Sequence, residues 1–266
     1  MKRRVIVTAI LITIASASGA GAGISVSVTP PLLEISVPPG GKKVYELTVK
    51  NIGDVKVSVR PQIMDLTLSV TGSAMPVEKG TSKWSCADWA SMNLSEFALE
   101  PGEGEQRDLT FQVPRGTNGG RYCVVVFETR LAEARADEPH ISISTRTGTI
   151  IMETVSRTVP RSGQVSDLRI RHATGDTMAI AAYFENTSNI HVKIKPSCII
   201  KSAEGKIIDR VKLDAGTGTV LPDGKRQMTG NWANKRKMLP GKYVAEVVVD
   251  FRGLKRAVQT AEFGLN

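Results

Sequence analysis

The stretch Lys50-Asn51-Ile52-Gly53-Asp54-Val55-Lys56-Val57-Ser58-Val59-Arg60-Pro61 decides the fold, because its pattern occurs twice in the chain. Val55, Val57 and Val59 alternate with Lys56, Ser58 and Arg60, as Tyr45, Leu47 and Val49 do with Glu46, Thr48 and Lys50 just before. A period of two turns one face of a strand to a core and the other to water. Asn51 to Asp54 has the composition of a short hairpin connection between two such strands. The second copy is Glu185-Asn186-Thr187-Ser188-Asn189-Ile190-His191-Val192-Lys193-Ile194-Lys195-Pro196. Pro101 to Tyr122 then finds its counterpart in Pro222 to Tyr243, with the same spacing from proline to tyrosine. Two matches in the same order make the chain a tandem of similar halves.

Other runs fit the same picture. Met64 to Val70, Leu109 to Val113 and Tyr122 to Phe127 read as strands, the last apolar on both faces and so central to a sheet. Pro101-Gly102 and Gly119-Gly120 punctuate them. No long segment past the N-terminus carries a 3.6-residue apolar period, although Ala87 to Phe97 or Leu131 to Ala136 has room for a turn of helix. Val159-Pro160-Arg161-Ser162-Gly163 breaks the pattern between the halves. The expected fold is all-β, two tandem immunoglobulin-like β-sandwiches at 24–159 and 164–266 with a linker at 160–163. A single α/β domain is excluded, since parallel strands need crossover helices.

Lys2, Arg3 and Arg4 precede the apolar run Val5 to Ala15 and the small residues through Gly23, the order of a secretory signal peptide over 1–23. The apolar run is too short to span a bilayer, and no later segment qualifies, so no transmembrane span is expected in the mature chain. The formal charge of +9 favours anionic surfaces such as envelope polymers and phospholipid headgroups. Basic residues are scattered among acids without an aromatic-rich stripe, which argues against nucleic acid as a partner.

Chemistry-bearing residues are sparse. His140, His172 and His191 are far apart, and no HExxH, close histidine pair or carboxylate cluster accompanies them, so neither a metal nor another cofactor is expected. No paired acid and base or nucleophile elbow appears, and the chain reads as no enzyme. Cys86 and Cys123 share the first half while Cys198 is alone in the second. In an oxidising compartment the first two can bond, and buried free thiols are the alternative. Cys198 shares the parity of Ile194 and Ile200 and reads as a core residue. Trp84 and Trp89 lie in a segment that the second half lacks, either as anchors for a partner or as caps on the open end of a sandwich, the cap being the leading reading.

Leu32 to Val37 with Pro38-Pro39-Gly40, the loop around Asn51, Leu99-Glu100-Pro101-Gly102, and Gly120-Arg121-Tyr122 with Val124 to Phe127 resemble the N-terminal domain of the PapD-like periplasmic chaperone superfamily. Ile141 to Ile150 resembles the last long strand of that domain, and the second half resembles the second module of related bacterial exported proteins with two immunoglobulin-like domains. The resemblance implies a periplasmic or cell-surface protein whose last first-domain strand is lent to a partner. Ile141 and Ile143 would supply the apolar face of that strand and Arg146 a basic anchor for a carboxylate, while Leu32 to Val37 offers no second basic residue. The leading expectation is a non-enzymatic exported protein that binds an envelope or surface component, a protein or peptidoglycan, with strand addition or an interdomain cleft as the physical mode. A chaperone for pilus or surface subunits and a structural or adhesion module are the alternatives.

Overall fold

The computed structural model describes residues 23–132, 144–155, 160–233 and 239–265. The signal-peptide segment through residue 22, and Ile141 and Ile143, lie outside the described residues. The first half contributes β1 (Val26–Thr29), β2 (Leu32–Ile35), β3 (Lys42–Asn51), β4 (Val57–Leu68), β5 (Ala74–Val77), β6 (Ala90–Ser91), β7 (Phe97–Leu99), β8 (Gly104–Gln112), β9 (Gly120–Leu131) and β10 (Ser144–Thr154). The second contributes β11 (Gly163–His172), β12 (Thr177–Asn186), β13 (Val192–Lys193), β14 (Lys195–Ser202), β15 (Ile207–Lys212), β16 (Thr219–Val220), β17 (Lys225–Ala233), β18 (Gly241–Asp250) and β19 (Ala257–Leu265). Among the described residues there is no helix, and the candidate helical turn at Ala87 to Phe97 instead holds the short strand β6.

The first sandwich packs the sheet β1-β3-β8-β6 against β2-β10-β9-β4-β5, with β7 pairing β4. Its core gathers Leu47, Val49, Val57, Val59, Leu109, Phe111, Val125, Phe127 and Ile151, all fully buried. The second sandwich places β11-β12-β17 against β15-β14-β18-β19, with a small β13-β16 pair beside them. Its core is separate, built on Ile180, Phe184, Cys198, Ile200, Met228, Val247 and Val249. The alternating burial of β12 and β18 follows directly from period-two sequence.

Two local readings are corrected. The Asn51 to Asp54 loop is not a hairpin, because β3 and β4 lie in different sheets. The chain there crosses from one layer of the sandwich to the other, a choice that turn composition does not encode. The runs Val55 to Val59 and Met64 to Val70 are joined by one strand, β4, which covers Val57–Leu68 and continues through Pro61 opposite Phe127.

The repeated asparagine is a shared structural device. Asn51 Nδ2 donates to the carbonyls of Val55 (2.8 Å) and Leu99 (3.1 Å), and its Oδ1 accepts from the Gly53 N–H (3.0 Å). Asn186 Nδ2 donates to Ile190 O (2.8 Å) and Val220 O (2.9 Å), and its Oδ1 accepts from the Ser188 N–H (3.0 Å). The main chain of each asparagine also bonds the loop that follows its counterpart proline: Gly102 and Glu103 in one half, Asp223 and Gly224 in the other. Both asparagines are buried, so the glycosylation-like triplet Asn186-Thr187-Ser188 is occupied by folding.

Candidate functional site

β10 is the strand on which the site is built. It runs antiparallel to β9 along its whole length, from Ser144 opposite Arg130 to Thr154 opposite Gly120. On its other side β2 pairs in parallel, but only from Ile150 opposite Leu32 to Glu153 opposite Ile35. The Ile150 N–H donates to Pro31 O, away from β9. In an extended strand the N–H and C=O of one residue point the same way and alternate from residue to residue. The backbone groups of Ser144, Arg146 and Gly148 therefore point outward as well, along an edge where no described strand pairs. Gly148 lies so close to β9 that an added Cβ would sit 2.3 Å from Val125 O, which fixes glycine at that register.

The sheet behind this edge is apolar on both faces. Cys123, Val125 and Phe127 of β9 enter the sandwich core, whereas Tyr122, Val124 and Val126 face the other way. They join Met64, Leu66 and Leu68 of β4, Ile150 and Met152 of β10, Trp84, and Leu221 from the second domain. This explains why Tyr122 to Phe127 is a continuous apolar run. The outer apolar face forms the wall of a cleft between the two sandwiches.

Polar contacts tie that cleft together. Tyr122 OH accepts from the His191 N–H at 2.6 Å, and the rings meet edge to face with centroids 5.7 Å apart. Burial pushes the Tyr122 hydroxyl above the usual tyrosine range and the His191 imidazole below its ordinary value. Lys193 pairs with Glu34, and the Gly120 N–H donates to Asn189 O at 2.7 Å. The indole N–H of Trp84 donates to Asp223 Oδ2 at 2.8 Å, and Lys83 reaches the same oxygen at 2.8 Å. The segment carrying Trp84 is held by the buried Asp65 carboxylate, which accepts from Gly80 N, Ser82 N and the Ser85 hydroxyl. A cavity of about 180 Å³ lies between the domains beside Leu66, Leu68, Trp84 and Leu221. The nearby Arg226 guanidinium is buried under the Gly72 turn, with one nitrogen donating to Thr219 O.

The structure places the sequence-derived candidates differently from one another. Arg146 is exposed and is already paired with Glu128, which sits opposite it on β9, through Nε (3.2 Å) and Nη2 (3.0 Å). Trp84 bridges the domains, while Trp89 packs edge to face on Phe111 with centroids 6.1 Å apart. Cys86 and Cys123 are both buried and free, with their sulfurs 2.8 Å apart. Cys198 is buried in the second core. Glu34 pairs with Lys193, and Asp223 with Lys83 and Trp84, only across the two domains, so sequence spacing alone does not bring these groups together. Among the described residues, no group of three or more His, Cys, Asp or Glu is placed to hold a metal ion, and no helix is long and apolar enough to cross a membrane.

Glu153, near the end of β10, is fully buried; its Oε1 accepts from the Val37 N–H at 2.8 Å, and its Oε2 has no partner. Burial raises its carboxyl to about 7, against the opposing Val37 hydrogen bond. The folded protein thus keeps a proton that the unfolded chain releases above the ordinary carboxyl range. This contribution to stability is full at low pH and is lost as pH rises through about 7, a change of about 2 to 3 kcal/mol. Glu153→Gln is expected to remove that slope, as read from urea midpoints between about pH 5 and pH 8. An unchanged slope in the variant would reject the assignment.

No protein-family model and no curated protein matches the chain. Solved structures do. The chain is similar to the class 5 fimbriae chaperone CfaA, with 12% identity over 89% of this chain and 98% of that one and a TM-score of 0.46. It is similar to the Salmonella enterica SafB chaperone, solved with the SafA pilin, at 15% identity over 92% and 99% of the two chains with a TM-score of 0.41. The Pseudomonas aeruginosa CupB2 chaperone is similar at 14% identity over 88% and 97%, with a TM-score of 0.38. Each of these three neighbours is a chaperone.

Proposed function

We propose that this chain is an exported, non-enzymatic binding protein that captures an envelope or cell-surface protein by adding a strand to the open edge of β10. Its two units would span 24–159 and 164–266 around a connector at 160–163, with the leader removed and the protein acting in the periplasm or at the cell surface. The observation that carries this reading is the outward row of main-chain groups at Ser144, Arg146 and Gly148, which no described strand pairs because β2 joins β10 only from Ile150 onward. Exposed strand edges are templates for pairing, and main-chain bonds supply affinity without a sequence motif. The apolar band of Ile150, Met152, Val124 and Val126 next to the edge offers contact for alternate side chains. A chaperone for pilus or surface subunits is the specific form of this function, since a subunit short of one strand would satisfy both itself and β10.

Arg146 enters this reading through its backbone, because its guanidinium is engaged by Glu128. Arg146→Pro removes the outward N–H and leaves the donors facing β9 in place. Arg146→Ala keeps that N–H and removes only the side chain. In pull-downs from envelope extract, the wild type and Arg146→Ala are expected to recover the same protein, and Arg146→Pro to lose it. Equal recovery by an Arg146→Pro variant with an unchanged circular dichroism spectrum would overturn strand addition at this edge.

A further inference from the structure

The loop joining β18 and β19 carries Arg252-Gly253-Leu254-Lys255-Arg256 between two buried anchors, Phe251 and Ala257. Leu254 is 98% exposed. It is not an apolar residue waiting to fold inward, because the root of the loop is fixed. Phe251 packs on Phe184 with ring centroids 5.3 Å apart, and an added Cβ at Gly253 would lie 2.3 Å from the Phe251 ring. Arg252 takes a left-handed backbone (φ 58°), with its N–H donating to Asp250 Oδ1 at 2.9 Å. The turn therefore holds the leucine away from the core.

Three cations share its turn. Arg252, Lys255 and Arg256 are exposed, and the main chain of Arg161 lies against Gly253. Lys195, exposed at the start of β14, is opposite Asp250. Among the described residues, none of these five cations takes part in an ion pair, and Asp250 is the acid at the root of the turn. Val258, a second exposed aliphatic side chain at 53%, follows on β19. Clustered cations repel one another and are stabilised by an anionic partner.

We infer that this hairpin tip is a contact site for an anionic lipid surface. The shape selects that partner over an acidic peptide: the tip projects, and a projecting leucine flanked by cations in its own turn matches a bilayer boundary, where the apolar group enters below the phosphates that the cations meet. An acidic peptide would instead need a groove to receive it. The site lies in the second domain and does not depend on strand addition at β10.

The test uses co-sedimentation of the mature chain, residues 24–266, with phosphatidylcholine vesicles, with and without roughly one-third phosphatidylglycerol. Binding is expected only to the anionic vesicles, and it should weaken steeply with added salt. The Arg252→Gln/Lys255→Gln/Arg256→Gln variant should bind about a hundredfold more weakly, and Leu254→Ser about tenfold more weakly. Both lie on an exposed turn, and a melting curve verifies that each remains folded. No binding by the wild type, or undiminished binding by the triple variant, would overturn the proposal. Binding to soluble polyglutamate as tight as to vesicles, with no effect of Leu254→Ser on either, would assign the patch to acidic polymers and overturn the lipid assignment.

Discussion

Asn186→Ala is expected to destabilise the second domain by about 4 kcal/mol, and Asn51→Ala the first by a similar amount. Truncation at Asn186 strips the carbonyls of Ile190 and Val220 of a donor and the Ser188 N–H of its acceptor, in a site where Ile190 and Val220 are buried. Each buried polar group left unpaired costs about 1 to 3 kcal/mol, and water entering the vacated space recovers part of it. At Asn51 the orphaned groups are Val55 O, Leu99 O and Gly53 N. Because the chain has two cores, amide hydrogen exchange resolved by domain is the suitable measurement. Each substitution should raise exchange in its own sandwich. A loss below about 1 kcal/mol in either case would show that the loops are held by something other than the asparagine.

Exchange of Cys86 and Cys123 with a disulfide-bearing oxidant, which leaves as its dithiol, is expected to link them and add about 3 kcal/mol to stability, with Cys198 remaining a thiol. The two sulfurs already meet in the core, 2.8 Å apart, and their union would tether the segment carrying Trp84 and Trp89 to β9. Closing a loop of this length limits the unfolded chain and supplies the stabilisation. Burial, the neighbouring Cys123 sulfur, Glu153 and Asp65 all push the Cys86 thiol well above its ordinary value. A thiol kept protonated in a sealed core attacks slowly, so the bond should form before the first sandwich closes. Non-reducing peptide mapping after rapid alkylation should yield one linked pair and one labelled cysteine. Cys86→Ala should lower the oxidised protein to the stability of the reduced one. Labelling of all three cysteines without reductant would refute the bridge.

Much of the fold was legible because β structure writes a period of two into its residues. β3, β8, β12 and β18 each show apolar residues at alternate positions, and burial follows that alternation. The repeat was legible for a sharper reason: one asparagine organises each loop through equivalent bonds, so its neighbours are constrained in both copies. The loop from Asn51 to Asp54 was misread because hairpins and sheet-to-sheet crossings use the same turn residues. Its destination depends on which partner strand lies nearest in space, and residues near Asn51 do not specify that.

The candidate site divides in the same way. Sequence by itself determined that the chain is a tandem of strand-rich halves, that Tyr122 to Phe127 lies in a buried sheet, and that few groups suited to catalysis are present. These properties follow from residue type and spacing, which act locally. Only the tertiary structure decided that β2 joins β10 no earlier than Ile150 and leaves Ser144, Arg146 and Gly148 facing outward with no described strand beside them, that Glu128 holds Arg146, and that Trp84 reaches Asp223 in the other domain. Strand edges and domain contacts join residues far apart in the chain by non-directional apolar burial and by backbone groups that every residue carries. Such groups leave no distinctive letter in the sequence, and so the open edge becomes visible only when the neighbouring strand ends.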